Sequence, residues 1–310
     1  MKALVTGAAG FAGTHLVPHL LDQGDQVTAT LLPADSVKLE CESALLDISD
    51  IDQCREVLAT VKPDVIYNLA GISFVPDAAR DVSLTVKVNV LGVYNLFSAC
   101  KELGLNKTKI LVISSSQVYG RVSEKELPLR EGAPLKPAEN YSMSKAMAEM
   151  VVHRFSHPGD PPSVIVRAFN HIGPAQRSDF VVSSFARQLA EISLGKRAAE
   201  MKIGNLEARR DFTDVRDIVR AYRLAALKGR GVYNLCSGRA VSIKEILDKL
   251  LEISGLKVEL KQDPDRMRPS ETPVLYGSFK LAEKELGWRP EIPLEQSLKD
   301  TYDYWLAKLS

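Results

Sequence analysis

The run Tyr141-Ser142-Met143-Ser144-Lys145 puts a phenol and an ammonium four residues apart. On a helix that spacing brings both side chains to one face. A nearby positive charge favours the phenolate, so Lys145 is expected to lower the pKa of Tyr141. Tyr141 could then exchange a proton with a carbonyl or hydroxyl oxygen near neutral pH. An ordinary surface Tyr/Lys pair has the same spacing. What distinguishes this one is Ser114-Ser115-Ser116, which closes the apolar run Ile110-Leu111-Val112-Ile113 and precedes Gln117-Val118-Tyr119-Gly120. In a parallel sheet, ligands bind at the carboxyl ends of the strands. The serines are therefore expected to face a ligand. A second pattern stands at the N-terminus, where Gly7-Ala8-Ala9-Gly10-Phe11-Ala12-Gly13 follows an apolar run and opens a helical one. Glycines at 7, 10 and 13 allow a tight turn and let backbone N–H groups approach a pyrophosphate at a helix N-terminus. The expected ligand is a dinucleotide.

These residues need a scaffold, and the chain supplies a regular one. Strand-like runs at Lys2–Thr6, Gln26–Leu31, Val65–Leu69, Ile110–Ser114 and Ser163–Arg167 alternate with helical stretches at Phe11–Gln23, Ile51–Thr60, Leu84–Leu103 and Tyr141–Ser156. That alternation predicts βαβ units: an α/β fold with a doubly wound parallel sheet of the Rossmann type. After about Phe169 the rhythm loosens. Prolines, glycines and charges gather at Gly195–Arg210 and 263–273, with helices expected at Val181–Leu194, Asp214–Leu227, Ile243–Ser254 and Leu294–Leu309. The expected division is a dinucleotide-binding domain over 1–168, rejoined by segments near 212–240, and a smaller C-terminal α/β substrate-binding lobe over 169–310.

Composition narrows the classes. The 310 residues are 45% hydrophobic and 25% charged, with 40 Lys and Arg against 39 Asp and Glu, for a net charge of +1. These values suit a globular protein and argue against disorder or an extended nucleic-acid surface. Cys41, Cys54, Cys100 and Cys236 form no CxxC pair and no Cys/His cluster, so reduced thiols and no metal are expected. No uninterrupted apolar run approaches the roughly 20 residues of a membrane helix. The glycines at 7, 10 and 13 break what would otherwise mimic a leader. The expected setting is cytoplasmic, without membrane.

Candidate substrate contacts follow the fifth apolar run. In Arg167-Ala168-Phe169-Asn170-His171-Ile172-Gly173-Pro174, Asn170 could donate to a phosphate and Phe169 could pack near a nicotinamide, while His171 is expected to be structural. Arg209 and Arg210 stand beside the polar turn Gly204-Asn205-Leu206-Glu207, and Arg268 near Glu271 supplies another cation and an acid. Arginine binds diphosphates bidentately and stays charged, so a nucleoside diphosphate pocket is expected.

Through these motifs the chain resembles the extended short-chain dehydrogenase/reductase family, the NAD-dependent epimerases and dehydratases, over essentially its full length. The GxxGxxG spacing, Tyr-x-x-x-Lys and the Tyr119-Gly120 pair carry the resemblance. It implies that Ser115, four residues before Tyr119, joins Tyr141 and Lys145 as the catalytic set. It also implies cofactor contacts from Gly7, Gly10, Phe11, Gly13, the adenine-side pair Asp47-Ile48, the strand end Leu69-Ala70-Gly71, the helix residue Asn89, Tyr141, Lys145 and Phe169. The runs RAFNHIGP, GNLEARRDFTDVRDIV, VYNLCSG and RMRPSE, with Ser73-Phe74-Val75-Pro76, are similar to the GDP-sugar branch and to its reductases in particular. For that branch Ser116, Gln117, Asn170, Asn205, Leu206, Arg210, Arg268 and Glu271 would contact the sugar nucleotide. Dehydratases of the family carry a carboxylate two residues before the Tyr-Gly tyrosine, where this chain has Gln117. The implied reaction is reduction of the C4 ketone of GDP-4-dehydro-6-deoxy-D-mannose to GDP-D-rhamnose by a homodimer. The alternatives are a nucleotide-sugar 4-epimerase on bound NAD, such as one acting on UDP-glucose, and a non-catalytic cofactor-sensing regulator. After Gly13 the second run ends Thr30-Leu31-Leu32-Pro33, with neither an acid for a ribose hydroxyl nor a base for a 2′-phosphate. Both NADP(H) and NAD(H) remain open.

Overall fold

Buried, β-branched runs alternating with amphipathic helices assemble one wholly parallel sheet, as the computed structural model shows for residues 1–264 and 272–310. In chain order the first half is β1 (Lys2–Thr6), α1 (Phe11–Asp22), β2 (Gln26–Leu31), β3 (Glu42–Leu45), α2 (Ile51–Val61), β4 (Val65–Asn68), α3 (Val75–Arg80), α4 (Val82–Val86), α5 (Gly92–Glu102), β5 (Lys109–Ser115), α6 (Asn140–Arg154) and β6 (Ser163–Ala168). The chain then leaves the sheet through β7 (Asn170–Ile172), α7 (Val181–Ser193), β8 (Glu200–Ile203), β9 (Arg209–Arg210) and β10 (Phe212–Asp214). It returns through α8 (Val215–Lys228) and β11 (Gly231–Leu235). Then come β12 (Val241–Ser242), α9 (Ile243–Ser254), β13 (Glu259–Gln262), β14 (Val274–Leu275), α10 (Lys280–Leu286) and α11 (Leu294–Leu309). The main sheet has the order β11-β6-β5-β4-β1-β2-β3. Its topological switch therefore falls between β1 and β4, whose carboxyl ends carry Gly7 and Leu69.

Two apolar layers cover the sheet. One joins it to α1, α8 and α10 through Leu16, Leu20, Ile218, Tyr222 and Trp288, all essentially inaccessible. The other joins it to α2, α5 and α6 through Leu58, Leu96, Phe97 and Val152. Double coverage explains why β4 is buried at every residue. A third core, outside the sheet, packs α7, α9 and α11 around Phe185, Leu189, Leu247 and Trp305. The end of the chain is fastened back to the first layer: Trp288 Nε1 donates to the Asp217 carbonyl at 2.9 Å, and Asp217 Oδ2 accepts from Glu291 N and Ile292 N. Helix starts are set by local chemistry. Asp50 caps α2, Asp214 caps α8, and Ser242 with Glu245 forms a reciprocal capping box on α9.

The strands and longer helices of the first half fall within about two residues of their expected bounds. Three features differ. The edge strand β3 is mostly exposed, and its four residues, Glu42–Leu45, are too few to show a period. The short strands β7 to β10 and β12 to β14, with α3 and α10, had no periodicity long enough to read. Finally, α4, a π-turn at Lys87–Leu91 and α5 form one helical stretch, Val82–Glu102, which is long and apolar enough to cross a bilayer by composition. This corrects the reading that nothing of that kind is present. Here the stretch lies against the sheet through Val93, Leu96, Phe97 and Cys100.

Candidate active site

The glycine loop shows why these positions lack side chains. Gly7 has φ +66°, and a Cβ there would stand 2.7 Å from the Ala70 backbone at the end of β4. A Cβ on Gly13 would stand 2.5 Å from the Ala8 carbonyl oxygen, so the helix could not seat so closely on the turn that follows β1. Gly10 is the N-cap of α1 and offers no side-chain acceptor to the first-turn N–H groups. An uncapped helix N-terminus beside a cradle with no Cβ fits a dinucleotide pyrophosphate. Phe11 sits between His15 and His171, edge-on to the first at 5.5 Å and stacked on the second at 5.7 Å. His171 is accordingly a packing residue, and burial lowers its pKa. At the expected adenine-side pair, the Asp47 carboxylate accepts from Ser49 N and Oγ, and Ile48 packs against Gly92. Asn95, which sequence reading did not single out, holds the Ile48 carbonyl at 2.9 Å. Beyond β2, the Asp35 carboxylate accepts from Leu32 N at 2.7 Å and closes a turn.

The catalytic candidates converge between the end of β5 and the first turns of α6. Ser115, Tyr141 and Lys145 are 7%, 8% and 8% exposed. Ser115 Oγ accepts from Gln117 N at 3.2 Å. Lys145 Nζ donates to the Ile113 carbonyl at 2.9 Å and lies 6.0 Å from the centre of the Tyr141 ring. One expectation is corrected here. Burial pushes the Tyr141 phenol above its ordinary value, and it is the hydrogen bond with Ser115 that opposes the rise. Lys145 is itself held down, to about 8, by desolvation. Asn89 stands in the π-turn. Its amide donates to the Ile72 carbonyl and Ser144 Oγ, and its oxygen accepts from Ile72 N at 2.8 Å. That ties Gly71, next to Ile72, to α6, and a Cβ on Gly71 would press on Asn89 Oδ1 and Lys145 Nζ.

The candidate substrate contacts divide. Gln117 is partly accessible beside the catalytic residues, whereas Ser116 is buried. Asn170 Nδ2 donates to the Asp211 carbonyl at 3.2 Å, and Arg210 Nη1 donates to the Arg209 and Pro273 carbonyls. Both lie outside the main sheet, Asn170 on β7 and Arg210 on β9. Asn205 Oδ1 accepts from Glu207 N and shapes its own turn, and Leu206 packs on the third core. Phe169, expected near the nicotinamide, is set in a small buried cluster. Its ring is 2% exposed and packs with Val118, Tyr119, Leu129 and Cys236. Arg268 and Glu271 lie outside the described residues. Asp211, unread in the sequence, is a fully buried carboxylate that accepts from Ser237 N, Ser237 Oγ, Gly238 N and Gly277 N. Among the described residues no His/Cys/Asp/Glu group could hold a metal ion.

Residues 4–301 match the GDP-mannose 4,6 dehydratase family. The chain belongs to this family. GDP-6-deoxy-D-mannose reductase of Pseudomonas aeruginosa is 35% identical over 99% of this chain and 98% of its own. The structure of RMD from Pseudomonas aeruginosa complexed with NADPH matches with a TM-score of 0.86 at 33% identity, covering 99% of this chain and all of that one. UDP-glucose 4-epimerase of Thermotoga maritima, solved with UDP-glucose, matches with a TM-score of 0.91 at 26% identity over the whole of both chains. Within the GDP-mannose 4,6-dehydratase family, this member carries an amide, Gln117, at the position two residues before Tyr119.

Proposed function

We propose that this chain reduces the C4 ketone of GDP-4-dehydro-6-deoxy-D-mannose to GDP-D-rhamnose, using NADPH or NADH. The observation that carries the reading is the conjunction of Ser115, Tyr141 and Lys145 at one strand end with an amide at Gln117. When bound, the reduced nicotinamide supplies the hydride. The protein's residues handle the oxygen. Ser115 donates a hydrogen bond to the ketone and holds it in place. Tyr141 gives its proton to the oxygen as charge develops there, and a phenol with a raised pKa stays protonated for that task at neutral pH. Lys145, charged below about pH 8, favours the phenolate that remains. The glycine loop, Asp47, Ile48, Asn89 and Gly71 would hold the cofactor. Asn170, Arg210, Asn205, Leu206, Arg268 and Glu271 would hold the nucleotide sugar, within a lobe formed mainly by 169–310.

The test is stoichiometry. Purified protein given GDP-4-dehydro-6-deoxy-D-mannose should consume one reduced cofactor per product formed. A nucleotide-sugar 4-epimerase is the second reading, favoured by the fold match to the Thermotoga maritima enzyme. It would interconvert UDP-glucose and UDP-galactose with no net consumption, and that result would replace the reductase reading. We further propose a cytoplasmic homodimer. Leu84, Leu91, Tyr94, Met147 and Met150 leave an apolar face exposed on the Val82–Glu102 stretch and α6, as paired helices across a two-fold axis require.

A further inference from the structure

Below the serine cluster lies a buried ion pair that the proton relay does not touch. Glu149 is 1% exposed, on the same face of α6 as Tyr141 and Lys145, one turn beyond the lysine. Arg167 stands on β6 directly beside Ser114 of β5. The guanidinium grips the carboxylate with a planar fork, Nε to Oε1 at 2.9 Å and Nη2 to Oε2 at 2.6 Å. The same Oε1 accepts from Ser114 Oγ at 2.5 Å. The remaining Nη1 donates to Tyr119 OH at 3.0 Å and to the Glu131 carbonyl at 2.8 Å, which fixes the loop that follows the serines.

Two consecutive residues of β5 are thus laced to two successive turns of α6: Ile113 accepts from Lys145, and Ser114 donates to Glu149, with Ser115 next along the strand and Tyr141 one turn before Lys145. A buried ion pair adds little stability over a well-packed apolar pair of the same volume. What a bidentate Arg–carboxylate pair adds is fixed geometry. We propose that Glu149 and Arg167 are positioning residues for proton transfer, setting the separation of α6 from the end of β5 and so the alignment of Tyr141 with Ser115. The turnover part of this inference rests on the reductase reading given above.

The test replaces the pair with an apolar one, Glu149→Leu with Arg167→Met, so that neither charge is left buried alone. The double variant should fold, keep its cofactor affinity by calorimetry and keep KM for the keto sugar. Its kcat should fall roughly 10- to 100-fold, the scale of a misplacement near 1 Å. The isotope effect from cofactor deuterated at the transferred position should rise, because chemistry becomes slower than product release. A readout without substrate accompanies it. The Tyr141 phenol, followed as the ultraviolet titration difference against Tyr141→Phe, should move upward, since loss of Ser115 leaves desolvation unopposed. Should the double variant not fold, Ser114→Ala cuts the strand–helix link alone and should give the same signs with smaller size. A folded variant with wild-type kcat and an unmoved phenol overturns the inference. If wild-type protein reduces no keto sugar, the reductase reading fails, and the phenol titration still decides the positioning role.

Discussion

In the proposed mechanism Lys145 meets two opposed demands: its charge would favour the Tyr141 phenolate, yet it is buried, and burial disfavours that charge. With Lys145 at about 8 and the phenol raised, ketone reduction has both groups in their working protonation states at neutral pH. We expect kcat for reduction to be flat below about pH 8 and to fall above it, in a profile belonging to the coupled pair; a rise above pH 8 would assign another proton donor. Tyr141→Phe should lower turnover by roughly 10²–10⁴-fold, the usual range for a general acid, with cofactor affinity kept. The same burial has a stability sign. Between about 8 and the ordinary value of 10.5 the unfolded chain holds a proton that the fold does not, so stability rises with pH across that window, and the penalty is complete below it. Lys145→Met should therefore raise the Tm of cofactor-free protein at pH 7, by an amount that shrinks toward pH 10.5, while turnover collapses. The pairing itself was legible, because helical spacing dictates which side chains are neighbours. The direction of the Tyr141 shift was not. Desolvation sums over every element packed around the phenol, and spacing along one helix is silent about them.

The glycine loop and the β5–α6 pair show what elements impose. Gly13→Ala puts a Cβ 2.5 Å from the Ala8 backbone in the turn between β1 and α1, which must shift to admit it. Overpacking of that kind typically destabilises by about 1–3 kcal/mol. A thermal melt should show the loss, and fluorescence titration should show weaker cofactor binding. Wild-type affinity in the variant would mean that the helix seats without this close approach. The strands and longer helices read in the first half were legible because they are runs of one period, four to fifteen residues long, in a doubly covered sheet. The smaller lobe was less so. Its strands β9, β12 and β14 are two residues each, held by partners far away in sequence rather than by a pattern of their own. Arg167 and Glu149 were in plain view as residue types, but a buried pair 18 positions apart is announced by no spacing rule. Phe169 was legible only as an aromatic after a strand end, a place open to ligand and core alike; Tyr119, Leu129 and Cys236 pack around it.

At the scale of the molecule, two further outcomes follow. GDP-mannose should not be dehydrated. Elimination across C5–C6 needs a group that titrates near neutral pH, and at Gln117 there is an amide. Mass spectrometry for loss of one water is the check, and product at about 1 s⁻¹ or faster, a rate typical of enzymes, would place the acid/base elsewhere. Light scattering at assay concentration should give twice the 34.1 kDa chain mass; replacing Met150, 69% exposed, with Glu should shift it toward the monomer. A monomer in the wild type would leave the apolar face without its proposed occupant. The layout of the reacting groups bears on descent as well. Ser115, Tyr141, Lys145 and Glu149 all lie within one strand, one loop and one helix, while most candidate sugar contacts come after Phe169. On the proposed reading the acid–base residues would form a single contiguous cassette, and the recognition surface a separate stretch of the gene. Mutation can sample new sugars and new bases in the second without disturbing the first. Such a lineage would be expected to radiate in substrate while holding its proton chemistry constant, and a chimaera keeping 1–168 of this chain with a relative's lobe should change what is bound before it changes how the oxygen is protonated.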